Sequence, residues 1–315
     1  MLIHYFLNRF YAFLQLIRWP NLLFIGLTQS LFIFFVLNPI LRQGNIVPIL
    51  QGLPCFLFIF STILVAAGSY IINDYFDANR DLMTRPNEVI IGKIIHRHWA
   101  IACHSVFSAV GVIIGFYLDF TSSTLLLGPI NFGCTFLLFL YSISLKKTPI
   151  AGNILISLLT AWTIYSCTWC NTGTILRAAP LVDMAKITRL TLMYGGFAFI
   201  LSLIREALKD MEDIDIDRKV KYHTMPIVWG NNASRIFILV WMIVMMGLLG
   251  SMFFYLLVSH RWIPGAYCLI FVTLPFLKLI KDFSSAKSVD QYRRVRSQIK
   301  WIMLTGILSM LLSHL

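Results

Sequence analysis

Stretches of about 20 predominantly apolar residues, enough to carry a helix through a hydrocarbon core about 30 Å thick, recur along the whole chain. Nine are legible, at about 20–39, 53–73, 99–118, 124–142, 150–171, 190–208, 235–257, 263–280 and 299–315. Inside lipid every backbone polar group must be satisfied within the segment itself, so the runs predict an all-α, polytopic membrane protein with nine transmembrane helices. Only 13% of the 315 residues are charged and 58% are hydrophobic, where soluble chains carry roughly 25% charge. No break in composition divides the chain, so residues 1–315 read as a single transmembrane domain. The first run is too long for a cleaved signal segment, and no small-residue cleavage pattern follows it. Ahead of it, residues 1–19 mix aromatic and apolar side chains with Arg9 and Arg18, the composition of a short amphipathic helix lying at the interface.

Acid is nearly confined to two places. Of the 14 Asp and Glu, three fall in 74–81 and six in 206–217, each window following a long apolar run. Asp74, Asp77 and Asp81 are spaced i, i+3, i+7, and Asp210, Asp213 and Asp217 repeat that spacing. On a helix such residues share one face, where like charges repel unless something positive stands before them. Carboxylate oxygens are hard ligands suited to Mg²⁺, which keeps several waters and bridges protein carboxylates to substrate phosphates. Two such rows predict a holder for a metal-bound diphosphate.

The formal net charge is +12, and its placement gives an orientation. Under the nine-helix reading, all but five of the 26 Lys and Arg lie on the side of the N-terminus; the five are Arg42, Arg177, Lys186, Arg189 and Arg261. The positive-inside rule then predicts an integral cytoplasmic (inner) membrane protein with the N-terminus and both acid rows cytoplasmic and the C-terminus opposite. Membrane lipid headgroups and a phosphorylated substrate account for the basic excess, and no nucleic acid partner is expected. The six cysteines read as packing residues; Cys167 and Cys170 have metal-like spacing, but no second pair or local His completes a site.

Several polar residues interrupt the apolar pattern. Asn21 and Gln29 share roughly one face of the first span, as an interhelical hydrogen bond or a substrate contact. The segment from Arg80 to Ala100 carries Arg85, Lys93 and Arg97, either a lid over an anionic group or an ordinary basic loop. Lys146 and Lys147 follow the fourth run. Arg205 and Lys209 interleave with Glu206 and Asp210, placed either to neutralise phosphoryl oxygens that metal leaves uncovered or to form an internal salt-bridge ladder. Pro275 is expected to bend the eighth span.

These residues resemble the UbiA-type intramembrane prenyltransferase family. Its first signature appears as Asn73, Asp74, Asp77 and Asp81, and its second as Asp210, Asp213 and Asp217 followed by Thr224, Pro226 and Gly230. Arg18-Trp19-Pro20-Asn21 is similar to the family's entry to the first helix, and Tyr141-Ser142, Lys146-Lys147 and Gly152-Asn153 to its fourth-to-fifth-helix segment. The resemblance runs from about residue 15 to 250. It implies nine helices ringed around a central cavity with a lateral opening, capped by segments of about 74–98 and 210–232. It also implies Mg²⁺-dependent transfer from a polyprenyl diphosphate. Asp81-x-x-x-Arg85-Pro86-Asn87 and Lys209-Asp210-Met211-Glu212-Asp213 are most like the glycerolipid branch, the digeranylgeranylglyceryl phosphate synthase type.

On that footing Asp74, Asp77, Asp210 and Asp213 are the expected catalytic metal holders, with Asp81 and Asp217 as further metal supports. Asn73, Lys146, Arg205 and Lys209 are expected on the diphosphate. Asn21, Arg85, Lys93, Arg97 and Tyr141 are expected at the acceptor or cavity, a phosphate on the acceptor suiting Arg85, or Lys93 with Arg97. The expected acceptor is a glycerol-phosphate lipid such as geranylgeranylglyceryl phosphate; the alternative is an aromatic quinone precursor. A cation-coupled transporter would place its acids nearer the bilayer midplane and pair broken helices from internal repeats.

Overall fold

A computed structural model describes residues 2–177 and 183–313. Its regular structure is helical, with one isolated bridge between Ile91 and Ile95 among the described residues. The helices that matter here are α1 (Leu2–Leu16), α2 (Trp19–Gln43), α3 (Gly52–Thr84), α4 (Arg97–Ser122), α5 (Leu127–Ile143), α6 (Ala151–Cys170), α7 (Met184–Glu212), α8 (Ile214–Lys219), α9 (Gly230–Val258), α10 (Trp262–Ser285) and α11 (Val289–Leu308). Six of them, α2, α3, α4, α7, α9 and α10, are long and apolar enough to cross a membrane.

The nine spans expected from the runs are therefore six by length and hydropathy among the described residues. Physical reasons set the other three apart. α5 has 17 residues, about 26 Å of helix at 1.5 Å per residue. α6 carries Asn153, Ser157, Thr160, Thr163 and Ser166, and the first twelve residues of α11 carry Asp290, Arg293, Arg294, Arg296 and Lys300. In α4 and α9 only 22% of the apolar window is buried inside the protein, so Ile113, Phe120, Ile243 and Phe254 face outward. Apolar side chains in that number outside the protein require lipid as their solvent. The chain is an integral, polytopic, all-α membrane protein.

Two proline positions explain the irregular turns. α2 passes through a π-helical stretch at Phe32–Leu37 immediately before Asn38-Pro39, and α10 does so at Cys268–Thr273 immediately before Leu274-Pro275. Proline lacks the N–H that would bond four residues back, and a local i→i+5 ladder accommodates the defect.

The chain divides into two compact units. The first comprises Met1–Ser30, Pro48–Lys146 and Trp169–Arg177. In it α3 packs along α4 and α5. Backbones approach closely where α4 meets α5: a Cβ built on Gly115 would lie 2.9 Å from the Gly128 Cα, too near for any side chain there. The sharp turn between these helices puts Ser123, Leu125 and Leu126 at positive φ, a costly conformation for residues with a Cβ. Asp119 stabilises it. Its Oδ1 accepts from the Leu127 N–H and the Thr124 hydroxyl and its Oδ2 from the Gly128 N–H, each at 2.8 Å. One carboxylate thus caps the opening N–H groups of α5. Asp119→Ala is expected to destabilise this unit by about 2 kcal/mol or more, since it strands three donors. A thermal melt in detergent reads this as a lowered Tm.

The second unit comprises Leu31–Val47, Lys147–Thr168 and Ala178–Leu315. There α7 is the central strut, packed against α9 and α11. Its core joins Leu201, Ile204 and Leu208 to Met242, Phe276 and Ile299, all essentially buried. Small polar contacts tie α6 to it, with Thr160 and Ser202 hydroxyls 3.3 Å apart and Thr168 and Thr191 hydroxyls 2.9 Å apart.

Candidate active site

The first acid row lies on a helix longer than the hydropathy pattern suggests. The apolar run ends near residue 73, yet α3 continues to Thr84, so Asp74, Asp77 and Asp81 occupy its last three turns. Their stacking on one face follows from helical periodicity. Asp77 is buried, while Asp74 and Asp81 are half-buried.

Arg18 and Lys146 meet this row from outside α3. Arg18 Nη2 stands 2.8 Å from Asp74 Oδ1, with its guanidinium 5.1 Å from the centre of the Tyr70 ring. Lys146 Nζ stands 2.8 Å from Asp77 Oδ1 and 3.1 Å from Asn73 Oδ1. Asn73 in turn donates to Asp77 Oδ2 at 3.2 Å. The Lys146 and Asp77 side chains are 7% and 10% exposed, so each charge depends on the other for its solvation. Arg80 approaches Asp77 at 4.0 Å. Arg18 itself sits at φ 52 in the break between α1 and α2, and that turn directs its side chain to the row. Asn21 is half-buried one turn further on, its N–H bonded to the Arg18 carbonyl at 2.8 Å. Tyr141 lies half-buried near the end of α5.

The segment after the row is held by its own chain. The Arg85 N–H closes α3 on the Asp81 carbonyl at 2.8 Å. Lys93 Nζ donates to the Pro86 carbonyl at 2.6 Å and Arg97 to Asn79 Oδ1 at 2.5 Å. Gly92 turns at φ 92, a value glycine adopts without steric cost. Gln29, which could have contacted substrate, donates to the Thr62 hydroxyl at 3.3 Å and so takes the interhelical role.

In the second unit the acid row crosses a break rather than lying on one uninterrupted helix. α7 ends at Glu212, Asp213 is the junction, and α8 begins at Ile214. The Asp213 N–H still bonds Lys209 O and the Asp217 N–H bonds Asp213 O, both at 2.9 Å, so the helical repeat survives the bend. Asp213 and Asp217 are buried, Asp210 is half-buried and the off-register Asp215 is exposed. Asp210 Oδ2 accepts from Asn153 at 2.8 Å. Arg205 forks onto the neighbouring Glu206 at 2.8 and 3.2 Å. Glu212 serves the fold: Arg293 and Arg296 of α11 reach it at 3.0 and 2.9 Å, and its hydrogen bond raises the Arg293 pKa.

Arg18, Asn153 and the Glu212 clamp were not among the expected site residues. Arg18 and Asn153 stood inside the quoted motifs, whereas nothing local to Glu212 pointed to α11. Among the described residues no three His, Cys, Asp or Glu side chains gather closely enough to hold a metal unaided. The donor set of each row is nonetheless all oxygen, from carboxylates and the Asn73 amide, which fits a hard cation that completes its shell with water and phosphate.

The sequence pattern of the UbiA prenyltransferase family matches residues 21–304. Digeranylgeranylglyceryl phosphate synthase from Thermococcus sibiricus is 30% identical over 224 residues, covering 71% of this chain and 70% of that protein. A solved structure concerned with digeranylgeranylglyceryl phosphate synthase in membranes superposes with a TM-score of 0.61 at 19% identity, over 96% of this chain and 99% of the other. A homologue from Archaeoglobus fulgidus solved with DMAPP and Mg²⁺ gives 0.57 at 14% identity, over 95% and 99%. At those identities the two structures speak for the fold alone.

Proposed function

The chain belongs to the UbiA prenyltransferase family, and from that premise we propose that it transfers a prenyl group, geranylgeranyl by preference, from a polyprenyl diphosphate to a glycerol-phosphate lipid such as geranylgeranylglyceryl phosphate. The observation that carries the acceptor is the kinship to digeranylgeranylglyceryl phosphate synthases, 30% identity over 71% of the chain. In this reaction the acceptor hydroxyl oxygen bonds to C1 of the prenyl chain as the C1–O bond to diphosphate breaks, and the hydroxyl proton passes to an Asp carboxylate or to the released diphosphate.

Asp74, Asp77, Asp210 and Asp213 would hold Mg²⁺ in this reading, with Asp81 and Asp217 supporting them directly or through water. A homologue from Archaeoglobus fulgidus was solved with DMAPP and Mg²⁺, and the carboxylate oxygens of both rows suit the same hard cation here. When bound there, Mg²⁺ supplies positive charge to the departing diphosphate. Lys146, already within 3.1 Å of Asn73 and 2.8 Å of Asp77, binds an outer diphosphate oxygen together with Asn73; Arg205 and Lys209 do the same from the second row. Arg85, or Lys93 with Arg97, receives the acceptor phosphate, and Asn21 and Tyr141 line the acceptor's cavity. The apolar helices keep water from the reacting carbon. α5, α6 and α11 bring the spans to nine around a central cavity, within one domain whose cap segments are 74–98 and 210–232. The excess of Lys and Arg orients the N-terminus and the site to the cytoplasm.

The test offers the purified protein geranylgeranyl diphosphate with either geranylgeranylglyceryl phosphate or hydroxylated aromatic acids, and identifies products by mass. Product from the glycerol phosphate is expected. Product from aromatic acids alone would assign the chain to quinone-precursor prenylation.

A further inference from the structure

The second unit contains a cleft that the transfer reaction does not use. It lies where the start of α7 meets the end of α9, the start of α10 and the residues following α11. Lys186, Arg189 and Arg261 line it together with the hydroxyl-bearing Tyr194 and Tyr255, and Met193, Met252 and Leu256 form its apolar part. Among the described residues no carboxylate lines it. α7 has 29 residues, about 43 Å at 1.5 Å per residue, and Asp210 lies near its far end. Cleft and acid row therefore sit toward opposite ends of one helix that is long and apolar enough to cross a membrane.

Three of the five cations expected away from the basic side of the membrane are gathered here. Among the described residues none of the three forms an ion pair with a carboxylate. Asp183, the acid nearest in sequence, is exposed and caps α7 by accepting from the Lys186 N–H at 2.8 Å. The other contacts of these cations only orient them: the Arg189 guanidinium lies 4.8 Å from the centre of the Tyr255 ring, and Arg261 donates to the Ser313 carbonyl at 3.0 Å. Three like charges around one cleft repel unless an anion joins them. Arginine forks match phosphate oxygens, and basic clefts between membrane helices suit phospholipid headgroups. The apolar side chains that share the cleft with the cations suit the hydrocarbon of a lipid, which a free anion lacks.

We propose that this cleft binds the phosphate headgroup of an anionic lipid in the leaflet opposite the acid rows. The site is separate from donor and acceptor, so it holds whichever acceptor the enzyme uses. Native mass spectrometry of the full chain in neutral detergent tests it, with phosphatidylglycerol, phosphatidylcholine of matched chains and inorganic phosphate as probes. The wild type is expected to bind phosphatidylglycerol roughly 30- to 150-fold more tightly than phosphatidylcholine, as two or three cation contacts would give. The variant Lys186→Gln/Arg189→Gln, which keeps the Arg261 contact to Ser313, is expected to lose that preference while prenyl transfer persists. An undiminished preference in the variant, or displacement of the lipid by inorganic phosphate, would overturn the proposal. A photoreactive anionic lipid supplies an arm that needs no substitution. Labelling of peptides spanning 186–194 and 252–264 in the wild type supports the site, and labelling confined to other segments refutes it.

Discussion

Asp74→Ala and Asp213→Ala are each expected to lower turnover about a thousandfold or more while the protein still inserts in the membrane and melts cooperatively. Loss of one preorganised electrostatic contact to a transition state costs roughly 10² to 10³ in rate, and loss of a metal-holding group sits at the upper end. The choice of residue matters. Removing Asp77 would strand a Lys146 side chain that is only 7% exposed, and breaking such a pair costs about 3–5 kcal/mol, so inactivity there could reflect misfolding. Asp74 faces an Arg18 that is 40% exposed, and Arg18 can turn to water when its partner is lost. Lys146→Ala should weaken donor binding less completely than either Asp change removes turnover. Steady-state rates alongside thermal melts separate the cases; loss of folding in both Asp variants would make the rows structural.

The second large effect concerns the metal. Stripping divalent cations with a chelator is expected to abolish diphosphate release, and Mg²⁺ to restore it, whereas Ca²⁺ should restore it poorly. Ca²⁺ prefers six to eight ligands at 2.3–2.6 Å, while Mg²⁺ demands near-octahedral geometry at about 2.0–2.1 Å and keeps its waters. Rows that supply a few carboxylates each, with phosphate completing the shell, match the smaller ion. Release that persists unchanged in chelator would leave the carboxylates with no metal to hold.

What the sequence made legible follows from which interactions are local. The i, i+3, i+7 spacing needs only helical geometry, and it located six acids that structure places on helices or at a helix junction. Hydropathy counts apolar residues and is blind to helix that continues through polar ones, so α3 extended eleven residues past its run, to Thr84. The same blindness worked in reverse for α6 and α11, where hydroxyls and arginines serve helix contacts such as Thr160 with Ser202 and Arg293 with Glu212. Long-range pairs carry no local signal at all. Arg18 reaches Asp74 across 56 positions, Asn153 reaches Asp210 across 57 and Arg293 reaches Glu212 across 81. Asp119 was an unremarked acid in an apolar stretch until the turn at 123–126 showed what it caps.

The central claim is that both acid rows act through Mg²⁺ on one donor diphosphate, and binding of an unreactive geranylgeranyl thiodiphosphate tests it without any turnover. Calorimetry on the wild type should show binding with Mg²⁺ and none in chelator, and Asp74→Asn and Asp213→Asn should each abolish the Mg²⁺-dependent heat. Full-strength binding without the metal, or in a variant lacking one row's carboxylate, would contradict the account.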